Sequence, residues 1–277
     1  MAITAQDVNR LRQETGAGMM DCKKALTEAN GDFEAAKDIL RKAGQKIASK
    51  RADNATSEGI VLTQVNAEGT VGKVVALACE TEPVSKVEDF KNLANAVLAA
   101  AVSNNSTSKE DLLATPQADG RSLNDHITDL MGKIGEKIDV AAYETINAEK
   151  VVAYNHSNGK LGVLVGLTNT SGSEVSEVGK DVAMQIAAMK PIAVDKDGVD
   201  ANTIQREIEI GKDQARQEGK PEEMLEKIAQ GKLNKFYKES TLLNQEFVKD
   251  PSVTIAKLLD NTSKGMTVSE FKRIAIG

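Results

Sequence analysis

Apolar positions along the chain keep two different periods, and each change of period marks a change of element. Up to Gly44 the spacing is helical: Val8 and Leu11 sit three apart, and Phe33, Ala36, Ile39 and Leu40 form a second stripe. Between them Met19 to Ala29 reads as another helix, with the breakers Gly16 and Gly18 before it and the turn Asn30-Gly31-Asp32 after it. Thr4 followed three residues on by Asp7 is an acidic form of the capping box, and Asp32 is placed to cap the third helix. Gly44 is the expected stop. A three-helix bundle this small has little interior, so some of its apolar side chains are expected to stay outside. "QKIASKRADNATSEG", residues 45–59, then reads as a helical tail running into a linker.

The central pattern alternates between β-prone runs and helical stripes, and it repeats. "NAEGTVGKVVALA" (66–78) matches "HSNGKLGVLVGLT" (156–168), with Gly69 against Gly159 and Gly72 against Gly162 at one offset (159 − 69 and 162 − 72). Each copy sets a glycine turn between two β-prone arms, the pattern of a hairpin, and the first arms are "GIVLTQV" and "KVVAYNH". A helix follows each hairpin. Its stripe is Phe90, Leu93, Ala94, Val97, Leu98 and Ala101 in the first copy and Val178, Val182, Ile186 and Met189 in the second, where Pro191 lies just past the end. The expected fold is α+β: an N-terminal three-helix module (1–52), then a duplicated core of small antiparallel sheets with helices. The halves of that core are expected at 56–140 and 141–277.

Between the copies, "SNNSTSKEDLLATPQADGRS" (103–122) reads as loop, and a helical stripe follows at Ile127, Leu130, Met131, Ile134 and Ile138. Gly132 and Gly135 stand inside that stripe, where each costs ~1 kcal/mol of helix propensity relative to Ala, so close packing or a partner is the expected reason. From about 201 to 238 the chain is dense in charge with two narrow apolar seams. Ile204, Ile208, Gly211 and Ala215 form one, and Leu225, Ile228, Ala229 and Phe236 the other. Gly219 and Pro221 flank Lys220 as a stop and a start, so an antiparallel helical hairpin is inserted in the second half.

Composition narrows the function classes. Of 277 residues, 40% are hydrophobic, only 3% aromatic and none is Trp, so the cores rest on Ala, Val, Ile, Leu and Met. A net charge of −6 argues against a general nucleic-acid binder, and no apolar run approaches the ~20 residues of a membrane helix. The N-terminus lacks the basic-then-apolar order of a signal peptide, and Cys22 and Cys79 lack CxxC spacing, which fits a reducing cytoplasm. Catalytic and metal patterns are missing. His126 and His156 stand apart, no G-x-S-x-G occurs, and "GSEVSEVGKD" has the wrong spacing and final residue for a phosphate-binding loop. Neither an enzyme, a cofactor nor a metal is expected.

Two stretches invite a partner instead. In Met19-Met20, adjacent helix positions point about a hundred degrees apart, so one thioether can face the core while the other offers an adaptable contact; alternatively both are core. "CETEP" (79–83) ends the apolar run "VGKVVALA" with acids and a proline, which is either plain strand termination or a partner-facing tip.

"TGAGMMDCKKALTEANGD" (15–32) resembles the N-terminal signature of the bacterial elongation factor Ts family. "CETEPV", "KIGE" (133–136), "YNHSNGKLGVLV" (154–165) and "GKPEEMLEKIAQGKLNKF" (219–236) look like further family segments in family order. The resemblance implies a ubiquitin-associated-like N-terminal module and guanine-nucleotide exchange on elongation factor Tu, bound in its GDP-bound and nucleotide-free states. By resemblance, Arg12, Met19 and Met20 contact the nucleotide domain, Thr81, Glu82, Pro83 and Val84 reach toward the magnesium site, and Ile134, Gly135 and His156 are core contact positions. The family's usual Asp-Phe is Glu82-Pro83 here, a longer acid and a smaller, stiffer plug. The inserted hairpin is a candidate for self-association. The alternative expectation is a non-catalytic adaptor that holds a partner helix on the N-terminal bundle.

Overall fold

The computed structural model describes residues 3–104 and 106–277; Met1, Ala2 and Asn105, at the edge of the first module and in the expected inter-copy loop, lie outside them. Three helices come first: α1 (Ala5–Thr15), α2 (Met19–Glu28) and α3 (Phe33–Lys50). The capping box of Thr4 and Asp7 is formed, and Asp32 accepts from the amide of Ala35 at 3.0 Å. Val8, Leu11, Cys22, Ala25, Leu26 and Ala36 fill this module's own small core. Gly44 does not stop α3, which continues to Lys50. Its missing side chain serves packing instead: Gly44 is buried against Gly132 of a later helix.

The repeat builds the rest. Strands β1 (Glu58–Val65) and β2 (Val71–Cys79) form the first hairpin, followed by the short α4 (Glu82–Lys86) and by α5 (Glu88–Ser103). Most of the expected loop carries no regular structure, but α6 (Lys109–Ala114) forms within it, capped by Ser108. Next come α7 (Leu123–Ile134) and β3 (Ile138–Asn147). Ile138, placed by spacing in the helical stripe, opens the strand instead, because Gly135 ends α7 in the left-handed conformation (φ 82°) with its amide on the carbonyl of Met131. β3 pairs with β2 along its length, so the first sheet reaches Asn147 and the expected division at 140/141 falls inside a strand.

The second half repeats the plan with β4 (Lys150–Asn155), β5 (Leu161–Thr168) and α8 (Ser176–Met189). Met189, assigned by spacing to the buried stripe, is exposed at the last residue of α8, past the cover of its core. The charged insertion is α9 (Ala201–Gln217) and α10 (Glu222–Ser240), packed so closely that a Cβ on Gly211 would lie 3.1 Å from the Cα of Ala229. A short ribbon, β6 (Glu246–Phe247) with β7 (Asp250–Thr254), precedes α11 (Ile255–Thr262) and the closing strand β8 (Thr267–Ala275). The sheets run β1-β2-β3 and β4-β5-β8, all antiparallel. Even the bulges correspond, between Ala76 and Leu77 in one sheet and between Gly166 and Leu167 in the other.

The two sheets bury a shared core of Val61, Val74, Ala76, Ile146, Val151 and Leu164. Their contact is reciprocal. The amide of Val61 donates to the carbonyl of Gly159, and the amide of Val151, the repeat mate of Val61, donates to Gly69, the repeat mate of Gly159 (2.8 and 2.7 Å). The paired glycines obey the same rule. A Cβ on Gly72 would meet Val151 at 2.6 Å and Leu164 at 3.1 Å; one on Gly162 would meet Val61 at 2.8 Å, Thr63 at 2.9 Å and Val74 at 3.4 Å. Gly72 and Gly162 are therefore required by close approach across an approximate two-fold axis relating the halves.

Candidate functional site

Strand β2 delivers a buried Cys79 and then turns outward. Glu80 is the first residue past the strand, and its carboxylate is not offered to solvent: the side chain is only 16% exposed. It accepts from Arg51 through both oxygens (2.8 Å each), from the side chain of Asn54 (2.9 Å) and from the amide of Lys137 (2.6 Å). The Lys137 amide, helped by Arg51 and Asn54, holds the Glu80 carboxyl below the usual range against the opposing effect of burial. The ammonium of Lys137 returns to the carbonyls of Ala52 and Asn54 at 2.5 and 2.9 Å. Thr81 donates through its amide and hydroxyl to Glu136 at 3.1 and 2.7 Å.

After this anchor comes the exposed part. Thr81, Glu82 and Pro83 are exposed, with Pro83 in the first turn of α4, where its missing amide costs nothing. Glu82 pairs with Lys86 at 2.7 Å, and Lys86 keeps its carboxyl low, with Lys160 adding to the pull. Val84, expected among the partner contacts, turns into the first core and pins α4 from beneath. Ile134 and Gly135 close α7 beside Glu136, so the structure brings them to the same end of the sheet as Thr81.

His156 arrives at that end from the other half. Its turn reaches β1 through the Gly159 bond to Val61, and Lys160 pairs at 2.5 Å with Glu58, the register partner of Cys79. The His156 ring is exposed, with Nδ1 2.8 Å from the Tyr154 hydroxyl. Seven of the ten expected contact residues thus lie at one end of the first sheet.

Arg12 on α1 and Met19 and Met20 on α2 are exposed on the N-terminal module. Neither methionine faces the module's core; they are 54% and 74% exposed. The first turn of α2 overshoots a core that Cys22, Ala25 and Leu26 already fill. Lys133 links this module to the core. Its ammonium lies over Gly16, where a Cβ would approach within 2.6 Å, and it pairs with Asp89 of α5 at 2.5 Å.

Among the described residues, no group of three or more His, Cys, Asp or Glu side chains is placed to hold a metal ion, and no helix is long and apolar enough to cross a membrane. Burial pushes the Cys79 thiol up to about 11, with Glu136 adding to the rise, so it is a poor nucleophile. What the surface offers is shape, apolar contact and charge.

The family model for elongation factor Ts matches residues 80–277. The chain belongs to the elongation factor Ts family. Its similarity to individual members covers nearly its full length. It is 65% identical over 274 residues to elongation factor Ts of Cytophaga hutchinsonii, covering 99% of both chains. It is 53% identical to that of Amoebophilus asiaticus, covering 100% of both, and 42% identical to that of Clostridium acetobutylicum, covering 99% of this chain and 92% of the relative.

Sequence reasoning located the exposed tip of this elongation factor Ts family member but not what holds it. Arg51, Asn54 and Lys137 carry no motif of their own, and Glu80 and Glu136 stand out only as members of "CETEP" and "KIGE". The available signal was an acid directly behind a buried strand end, together with a basic run in the linker; their separation of 29 residues hid the pairing.

Proposed function

We propose that the protein is a guanine-nucleotide exchange factor for elongation factor Tu, acting during translation elongation in the cytoplasm. Family membership along nearly the whole chain carries this reading. The geometry supports it with two accessible surfaces, Met19–Met20 on a three-helix, ubiquitin-associated-like module (1–52) and Thr81–Pro83 at the end of the first core half. Such a factor needs no bond chemistry of its own. It binds the nucleotide-free GTPase more tightly than the GDP-bound form, and linkage then requires that factor and GDP weaken each other equally. In this reading Glu82 disturbs the magnesium shell of the GTPase, Pro83 acts as a stiff plug, and Val84 serves indirectly by pinning the tip. Arg12, Met19 and Met20 hold the nucleotide domain, while Ile134, Gly135 and His156 line the remaining contact.

The test is release of a fluorescent GDP from the cognate elongation factor Tu, with and without catalytic amounts of this protein. Accelerated release is expected, and Glu82→Ala combined with Pro83→Ala is expected to diminish it. Binding without acceleration would overturn the reading in favour of an adaptor that holds a partner helix, which the exposure of both methionines favours as the second choice.

A further inference from the structure

Helices α3 and α7 cross where two glycines meet. A Cβ on Gly132 would lie 2.8 Å from the Cα of Gly44, so backbone touches backbone with no side chain between. Crossing angles are set by side-chain ridges seated in grooves, and at this point of the seam neither helix supplies one. The N-terminal module is built on α3, so its orientation depends on what fixes the far end of that helix. Arg51 caps that end, seven residues past Gly44 and thus about 10 Å along the axis. There it meets Glu80.

Glu80 joins three segments that are distant in sequence. Arg51 and Asn54 come from the linker, Lys137 from the turn between α7 and β3, and Glu80 itself from the base of the exposed tip. Lys137 closes the ring by donating to Ala52 and Asn54. Ala48 packs on the first core and Lys133 covers Gly16, but neither bridges the tip to the linker. The Glu80 cluster does.

We infer that Glu80 is a positioning residue that sets the orientation of the N-terminal module relative to the Thr81–Pro83 tip, so that both reach one GTPase together. The inference rests on the exchange reading for its consequence and on the cluster geometry for its cause. Glu80 itself touches no partner. Without the clamp the module samples orientations around the glycine crossing, and only a fraction of molecules present both surfaces in register. Apparent affinity falls by that fraction, so an aligned population of about a tenth raises the half-saturating concentration about tenfold. The step after binding is unchanged, because the tip is intact.

Two variants test this. Glu80→Gln keeps an acceptor for the Lys137 amide but turns a donor toward Arg51 and Asn54. Arg51→Ala removes the linker side alone. In steady-state GDP release at catalytic factor, each variant is expected to raise KM for the GDP-bound GTPase about tenfold with kcat retained, and the double variant to add little to either. Simple misfolding would lower kcat by the inactive fraction and leave KM in place. In parallel, spin labels on Lys23→Cys of α2 and Lys91→Cys of α5 report the distance between module and core; Cys22 and Cys79 are buried and stay unlabelled. Glu80→Gln is expected to broaden that distance distribution. An unchanged KM, or an unchanged distribution, overturns the inference. If the native protein fails to accelerate GDP release, the exchange reading falls, and the distance measurement alone then decides the clamp.

Discussion

Gly132→Ala sets two known effects against each other, and the geometry decides between them. Replacing a helical glycine by alanine gains up to ~1 kcal/mol of propensity. Against that, the new Cβ would lie 2.8 Å from the Cα of Gly44, a backbone atom that cannot rotate away. Carbon atoms prefer about 3.5–4.0 Å, so α3 and α7 must part by roughly 0.7 Å or more, and a gap of that size forfeits a quarter to a half of each pair's attraction along the seam. Overpacking a close contact costs about 1–3 kcal/mol, and an unyielding backbone neighbour places this site in the upper part of that range. The net expectation is a loss of about 1–2 kcal/mol. Gly44→Ala differs because its Cβ would meet the Thr128 carbonyl at 3.2 Å and Gly132 at 3.5 Å, tight but near contact, so the propensity gain offsets the strain and stability stays within about 0.5 kcal/mol of the parent. Urea unfolding followed by circular dichroism measures both. The reasoning is refuted if Gly132→Ala is as stable as the parent, or if Gly44→Ala proves the costlier change.

The reciprocal packing of the two halves predicts that Gly72→Ala and Gly162→Ala each destabilise by about 1–3 kcal/mol, and that Val151→Ala relieves the first but not the second, in a double-mutant cycle by urea unfolding. Met19→Ala with Met20→Ala removes exposed side chains, so unfolding midpoints should stay put while acceleration of GDP release falls; a shifted midpoint would return the methionines to a structural role. Cys79 has its thiol raised from 9.0 to about 11 in the folded state. A group raised on folding stabilises fully below its unfolded value and loses that contribution as pH climbs through the folded one, so Cys79 predicts declining stability between about pH 9 and pH 11. At pH 8 a thiol reagent should label it far more slowly in the native protein than in urea. Native labelling at the unfolded rate would contradict its burial.

The elements that read clearly from sequence were those whose local chemistry agrees with their tertiary role. Thr4 and Asp7 form the cap their spacing announced, and Gly219 and Pro221 turn the chain between α9 and α10 as a stop and a start should. The repeat was legible because Gly72 and Gly162 are required by contact and not by turn geometry, so both copies retain them. Misreadings came where a glycine has two possible uses. Gly44 is a packing surface inside a helix and Gly135 a true left-handed cap, yet propensity treats them alike. Strand β3 was hidden because its burial is shared between faces, with Tyr143 and Glu144 half-buried, so no clean alternation marks it. At the candidate site the exposed tip was visible and its support was not. Glu80 and Arg51 are ordinary charged residues until the fold brings them within 2.8 Å.

Because the frame is used twice, differences between the halves show where contacts were added to it. At the strand end of the second half, Thr170 occupies the place that Glu80 holds in the first. Thr170 is buried and donates through its amide and hydroxyl to Glu149, and the neighbouring Asn169 donates to Gly265, so that end is tied within its own half. Glu80 instead reaches out of its half to the linker that carries the N-terminal module. A strand terminator needs only the local solution, as the second half demonstrates. The first half has a partly buried carboxylate surrounded by four donated hydrogen bonds from two other segments, an arrangement costly to assemble unless the position of the neighbouring module matters. The acids of "CETEP" therefore differ in setting: Glu80 is enclosed by the linker and the turn between α7 and β3, whereas Glu82 stands exposed beside Pro83 and is paired with Lys86 of its own short helix.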